Sequence, residues 1–182
     1  MILLKSFKDK NILSVIIPTL NESESLPLLL SDLSELKNAE ILIIDSCSKD
    51  NTKEIALIYG TKFYQLNQKN RGLQLNFGAQ KAKGEWLLFI HADSRLKDNW
   101  SEEINLIMQN KSPMVYFFKF KINSQKRIYR LLEFFVNMRC LFLKDPYGDQ
   151  GLLIQKNKYF KNEGFKKIPL MEDIEFIKRI KK

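Results

Sequence analysis

The stretch KGEWLLFIHADSRL, residues 83–96, climbs through an apolar run to Ile90 and then breaks onto His91, Ala92 and Asp93. His91 is the single histidine of the chain. A carboxylate just past a buried strand commonly caps a helix or forms a turn, and for Asp93 alone that is the more ordinary role. A lone histidine is likewise more often structural than a ligand. Asp45 closes another apolar run, AEILIID, in the same way. Two carboxylates at adjacent strand ends could hold a hard cation with a diphosphate, or a ribose hydroxyl. Arg71, near the start of NRGLQLNFGAQKAKG, is a candidate fixed cation for phosphate, against the plainer reading of a surface arginine. Glu172 and Asp173 stand together in PLMEDIEFIKRIKK, where acids also suit the start of a helix.

These residues need elements to position them. ILSVIIPTL is a β-branched run closed by Pro18 and reads as a buried strand. LPLLLSDLSEL has helical spacing, with Ser23 or Ser25 as cap and Pro27 in its first turn. AEILIID predicts a second strand, a helix runs from Asp50 to a stop at Gly60, and TKFYQL predicts a third strand. NRGLQLNFGAQKAKG reads as helix to Gly84, EWLLFIHAD as a fourth strand and DNWSEEINLIMQN as another helix. Unbroken apolar strands alternating with helices predict an α/β fold, a parallel sheet covered on both faces. Ligands in such sheets sit at the carboxyl ends of the strands. Thr19, Asn21 and Glu22, then Asp45, then His91 and Asp93 occupy those ends, so strands one, two and four converge on one crevice edge.

The second part of the chain reads differently. MVYFFKFKI predicts a sheet-edge strand, and DPYGDQGLLI a turn leading into a strand. SQKRIYRLLEFFVNMRCLFLK predicts a long amphipathic helix: Ile128, Leu131, Leu132, Phe135, Met138 and Phe142 recur at steps of three and four, flanked by Lys126, Arg127, Arg130, Arg139 and Lys144. The expectation is a core-packing helix with basic outer positions. The alternative is an interfacial helix on anionic lipid.

With 182 residues and 45% hydrophobic composition, the chain is expected to form one domain with a real core. Its start does not read as a signal peptide, and no apolar run approaches the roughly 20 residues a bilayer-spanning helix needs. Cys47 and Cys140 have no metal-like spacing and read as reduced thiols of a cytoplasmic protein. Residues 1–117 are charge-balanced, so the whole net +9 lies in 118–182. A basic face there suits an anionic membrane surface, a phosphorylated substrate or nucleic acid, although any single lysine is more simply a solvated surface residue. No nucleic-acid-binding motif accompanies the charge, so nucleic acid is not an expected partner. The first strand is followed by PTLNESES, with neither a G-x-G-x-x-G nor a P-loop pattern. That argues against dinucleotide-binding, P-loop and nucleotidyltransferase readings.

Taken in order, VIIPTLNE, IIDSCSKDNT, NRGLQLNFGAQKAKGEWLLFIHADSRL, PYGDQGLLI and PLMEDIEF resemble the motifs of family 2 glycosyltransferases of the GT-A fold. In particular they resemble a small bacterial subgroup with H-A-D at the metal position. Each motif alone is modest, and five in order make the match specific. The resemblance runs from about Val15 to Lys182. It implies an inverting transferase that moves a sugar from a nucleotide-diphosphate donor, usually UDP-linked, to an acceptor hydroxyl.

The resemblance also implies roles. Pro18, Thr19, Asn21 and Glu22 would cradle base and ribose, Asp45 would read the base, and Arg71 would lie near base and phosphates. His91, Ala92 and Asp93 would face the diphosphate, with Asp93 holding Mg²⁺ or Mn²⁺. Gly148, Asp149 and Gln150 would belong to the acceptor site, and of Glu172 and Asp173 the second is the expected general base. The nucleotide-binding half is expected over about 1–97, and an acceptor half, short at its C-terminus, over 98–182. Expected partners are the donor, a lipid, saccharide or small-molecule acceptor, and an anionic membrane surface at the inner face. Two departures stand out. Asp45-Ser46-Cys47-Ser48 replaces the family's Asp-Gly-Gly-Ser, and His91 takes the first place of its D-x-D. A non-catalytic or weakly active nucleotide-sugar-binding protein of the same fold is the rival expectation.

Overall fold

The computed structural model describes residues 13–36, 38–97, 99–110, 115–122, 124, 126–143 and 150–181. Strands β1 (Leu13–Thr19), β2 (Ala39–Asp45), β3 (Lys62–Gln65), β4 (Trp86–Phe89) and β5 (Leu152–Gln155) form one sheet in the order β3-β2-β1-β4-β5. The first four run parallel, and β5 pairs antiparallel with β4. The helices are α1 (Leu26–Leu33), α2 (Thr52–Ile58), α3 (Arg71–Lys81), α4 (Trp100–Gln109), α5 (Arg127–Leu143), α6 (Lys156–Lys161) and α7 (Glu172–Ile180).

Successive side chains of a strand point to opposite faces, so a sheet buried on both sides needs apolar residues throughout. Val15 and Ile17 of β1 enter one core with Leu29 and Leu33 of α1 and Ile104 of α4. Ile16, between them, enters the other with Leu75 of α3, Tyr159 of α6 and Phe176 of α7. Each such side chain, fully buried, contributes about 1.5–3 kcal/mol. The mainly parallel sheet flanked by helices matches the sequence reading. Its parallel strands bring the carboxyl ends of β2, β1 and β4 side by side.

Four expectations need correction. Asp45 and Asp93 do not close adjacent strands, because β1 lies between β2 and β4. One strand spacing is about 4.8 Å, so the ends of β2 and β4 are separated by about twice that along the sheet edge, and Asp93 lies in the turn beyond β4. MVYFFKFKI does not form a full edge strand: its described part makes a single antiparallel bridge, Tyr116 to Leu153. α3 ends at Lys81 rather than Gly84. The amphipathic helix is present as α5, but it does not pack its apolar stripe into a core. Ile128 is 71% exposed and Phe135 59%.

The end of the sheet opposite the crevice is locked by a buried carboxylate. Glu40 of β2 accepts hydrogen bonds from the Ser14 hydroxyl of β1 (2.5 Å) and the Lys83 N–H, and it pairs with Lys62 of β3. Ser14 in turn accepts from Gly84 N–H at 2.8 Å. Burial pushes the Glu40 carboxyl up, but Lys62, Ser14 and the Lys83 N–H outweigh it and hold the group below its usual 4.5. A carboxyl lowered in the folded state stabilises above its unfolded value, and that contribution fades as pH falls through the folded one. Glu40→Ala would orphan the Ser14 and Lys83 donors and is expected to cost about 2 kcal/mol in urea unfolding at neutral pH. The gap to the parent should narrow below pH 4.5.

Candidate active site

The loops after β1 and β2 are sewn together at the crevice edge. Thr19 and Asp45 are register partners, and the Thr19 hydroxyl donates to Asp45 Oδ1 at 3.0 Å. Ser48 adds its hydroxyl and, at 2.9 Å to Oδ2, its N–H. Asp45 is fully buried, at 0% exposure. Its carboxylate thus folds the Ser46–Ser48 loop back on itself. Cys47 takes a left-handed backbone (φ 63°) there, and its thiol donates to Leu66 O at 3.2 Å. Asn21, also left-handed at φ 57°, donates its N–H to Ser48 Oγ (2.7 Å) and accepts from Lys49 N–H at 2.8 Å.

Glu22 N–H donates to Thr52 Oγ1, and Ser23 N–H to Asp50 Oδ2, each at 2.9 Å. Asp50 also receives the Thr52 hydroxyl and N–H. Partial burial pushes its carboxyl up, but the donors from Thr52 and Ser23 prevail and bring it down to about 2. Gln74 of α3 closes this part of the floor by donating to Thr19 O (3.0 Å) and Ile44 O (2.6 Å). Pro18, one residue earlier in β1, pairs with Ile44 across the ladder.

A second group forms where α3, β4 and α7 meet. Asn70 caps α3 by accepting from Leu73 N–H at 2.8 Å, and its amide donates to Ile168 O at 3.0 Å. The next residue, Arg71, pairs through Nε with Glu172. Its Nη2 lies 3.8 Å from Asp173 Oδ2, and its Nη1 lies 3.3 Å from His91 Nε2. Glu172 is buried (1% exposure), whereas the Asp173 side chain is partly open and accepts its neighbour's Ile174 N–H at 2.8 Å. Gly72 makes the approach of the segment before α7 possible, since a methyl there would collide with Lys166 O. Leu75, Phe89, Phe117 and Phe165 line an apolar pocket beside the guanidinium.

Asp93 stands exposed in the turn after β4, between buried Ala92 and Ser94. The turn itself is held by other groups. Ser94 N–H donates to His91 O at 3.2 Å, while Asp32 of α1 receives Arg95 at 2.8 and 2.9 Å and Leu96 N–H at 3.0 Å. The charge of Asp93 is felt at Glu22, whose carboxyl is raised first by burial and then by Asp93.

The structure gathers Arg71, His91, Glu172 and Asp173 at one place and lets the charge of Asp93 reach Glu22. It does not put Asp45 beside Asp93, as the strand ends had suggested, because β1 lies between β2 and β4. Gln150 is buried: its amide donates to Phe118 O (3.3 Å), and its carbonyl accepts from Cys140 Sγ (3.1 Å). Gly148 and Asp149 lie outside the described residues. Asn70, Gly72 and Gln74 were not singled out, although an asparagine directly before a helical run is a readable cap signal.

The family implies a divalent cation, and the donor set can be tested for it. No group of three or more His, Cys, Asp and Glu side chains is gathered among the described residues. Asp93 and Glu22, whose carboxyl is raised first by burial and then by the charge of Asp93, nonetheless offer hard oxygen donors to such an ion. Mg²⁺-type sites typically use one or two carboxylates plus substrate phosphates and water. Asp93 and Glu22 fit that shared kind of site and do not make a closed protein cage.

The sequence of residues 14–171 matches the family model described as glycosyl transferase family 2. The chain belongs to that family. Glu172 and Asp173 fall immediately after the matched span. A 4,4'-diaponeurosporenoate glycosyltransferase of Staphylococcus haemolyticus is 31% identical over 129 residues, covering 66% of this chain and 34% of that protein. The S. aureus TarS 1–349 structure in complex with UDP-GlcNAc superposes with a TM-score of 0.73 at 22% identity, over 92% of this chain and 52% of the other. A Pyrobaculum calidifontis mannosyltransferase in complex with GDP-Man and Mn²⁺ gives 0.68 at 16% identity, over 93% and 51%. The fold is therefore GT-A, and this family 2 chain spans about a third of that curated relative and about half of those solved chains.

Two outcomes are expected of the framework. Asp50 stabilises above its usual 3.8, and the contribution is lost as pH falls through about 2. Asp50→Asn should cost on the order of 1 kcal/mol at neutral pH once solvent screening is allowed for, with the difference closing in acid-unfolding profiles. Gly72→Ala should lower stability by about 1–3 kcal/mol through overpacking against Lys166, read by thermal unfolding.

Proposed function

We propose that this chain transfers a sugar from a nucleotide-diphosphate donor, a UDP-sugar, to an acceptor hydroxyl with inversion at the anomeric carbon. The observation that carries the reading is the meeting of Arg71, His91, Glu172 and Asp173 at the carboxyl end of the parallel sheet, in a family 2 chain. Solved proteins of the same fold hold UDP-GlcNAc, and in another case GDP-Man with Mn²⁺.

The laced loops of Pro18, Thr19, Asn21 and Glu22 form the wall against which base and ribose would rest. Asp45 acts on that wall from behind, fixing the loop through Thr19 and Ser48. Asp93, with Glu22 near enough to feel its charge, would hold Mg²⁺ or Mn²⁺. When bound, the ion neutralises the leaving diphosphate. His91 is within reach of the same crevice through Arg71 and serves as a donor to phosphate oxygen. Glu172 is buried and committed to Arg71, so it positions that guanidinium. Asp173 is the more open acid and takes the proton from the acceptor hydroxyl as general base. That transfer requires about 2.6–3.2 Å between the oxygens, directly or through one water. The acceptor is drawn from lipids, saccharides and small hydroxyl compounds; the acceptor segment is read at Gly148, Asp149 and Gln150, of which Gln150 is the described member.

Release of UDP from UDP-sugars, followed with and without Mn²⁺, tests the assignment. Asp173→Asn is expected to lower turnover by roughly 10²–10⁴-fold while leaving UDP binding intact. Asp93→Ala should lose both turnover and the Mn²⁺-dependent part of UDP binding. A parent protein that binds UDP but never releases it from any donor would be a binding protein and not a transferase. Full activity in both variants would remove the site assignment.

A further inference from the structure

α5 is an amphipathic helix mounted the wrong way round for a core. Its polar side faces the protein. Buried Glu133 accepts Ile122 N–H at 2.6 Å and pairs with Arg130. Asn137 exchanges two 3.0 Å hydrogen bonds with the backbone N–H and C=O of Phe120, and Cys140 donates to Gln150. The apolar side faces out: Ile128, Leu131, Leu132, Phe134, Phe135 and Met138 are 37–71% exposed. A helix of a water-borne protein normally shows the reverse arrangement. A contiguous apolar face of this kind marks a surface that meets a partner.

The surrounding charge states what kind of partner. Lys119, Lys121, Lys126 and Arg127 are exposed around the helix, and its single acid, Glu133, is turned inward and paired with Arg130. Lys97 first, and then Arg130, push the Lys121 ammonium below its usual value, so positive charge is gathered beside the helix. A second copy docked face to face would set these cations against each other. An anionic bilayer surface supplies both things the face lacks, an apolar layer and negative charge. Arg127–Leu143 spans 17 residues, about 25 Å of helix, which suits lying in the interface plane. No helix among the described residues is long and apolar enough to cross a membrane.

We propose that α5 docks this chain on anionic lipid, with Leu131, Phe134, Phe135 and Met138 entering the acyl boundary and the basic rim meeting the headgroup phosphates. The proposal does not depend on the transferase reading, because its test uses no donor or acceptor. The purified protein is floated with vesicles of phosphatidylcholine alone and with vesicles containing about one-third phosphatidylglycerol. Binding is expected with the anionic vesicles, at least ~10-fold weaker with the neutral ones, and released by high salt. Leu131→Glu/Phe135→Glu is expected to abolish flotation. Lys126→Glu/Arg127→Glu is expected to weaken it several-fold. Because these side chains are exposed, both variants should keep the parent's thermal unfolding midpoint, which separates lost docking from lost folding. Absence of flotation with anionic vesicles would overturn the proposal. So would binding indifferent to lipid charge, or a dimer in sedimentation that Leu131→Glu/Phe135→Glu dissolves.

Discussion

The site depends on one ion pair, between the buried carboxylate of Glu172 and the partly exposed guanidinium of Arg71. Glu172 is removed from water, and a buried carboxylate is tolerable only with a counter-charge and good geometry. Arg71 supplies that charge from the first turn of α3. The same guanidinium reaches toward Asp173 and His91, so one side chain ties the starts of α3 and α7 to the end of β4. Gly72 lets the segment before α7 close onto α3, and Asn70 both caps α3 and fastens that segment. The acid read as general base is therefore positioned by a contact made 102 residues earlier in the chain, at Arg71.

The opposite side of the crevice is rigid for a different reason. Its loops carry many backbone donors and little apolar surface, and they are fixed by short polar side chains: Thr19, Asn21, Asp45, Ser48, Asp50 and Thr52. Such preorganisation costs nothing further at the moment a ligand binds. Glu22 and Asp93 remain as acids close enough for the charge of Asp93 to raise the Glu22 carboxyl, after burial, and a cation with a diphosphate would relieve that repulsion.

Much of this was legible in the sequence because strand ends are. ILSVIIPTL, AEILIID and EWLLFIHAD each break from apolar to polar at a definite residue, and a parallel sheet aligns those breaks. Strand order is not written in such patterns, which is why Asp45 and Asp93 looked like neighbours although β1 separates them. How Asp45 is held was hidden for a related reason. Its grip on the loop depends on Ser48, three residues on, taking a turn in which Cys47 has a left-handed backbone. The period of α5 was correct, but periodicity gives a stripe and not its direction. Only the hydrogen bonds of Glu133 and Asn137 to residues 120–122 show that the polar side faces inward. Gly72 could not be distinguished from any other helical glycine until Lys166 was found against it.

The most direct test of the account is the thermal midpoint of the intact chain with nucleoside diphosphates, with and without Mn²⁺. A ligand that binds the folded state raises the midpoint in proportion to the logarithm of its concentration over Kd. UDP and Mn²⁺ together are expected to raise it well beyond the sum of their separate effects, and Asp93→Ala is expected to remove that excess. An unchanged midpoint with every nucleotide, with or without the ion, would contradict a nucleotide-diphosphate crevice at this end of the sheet.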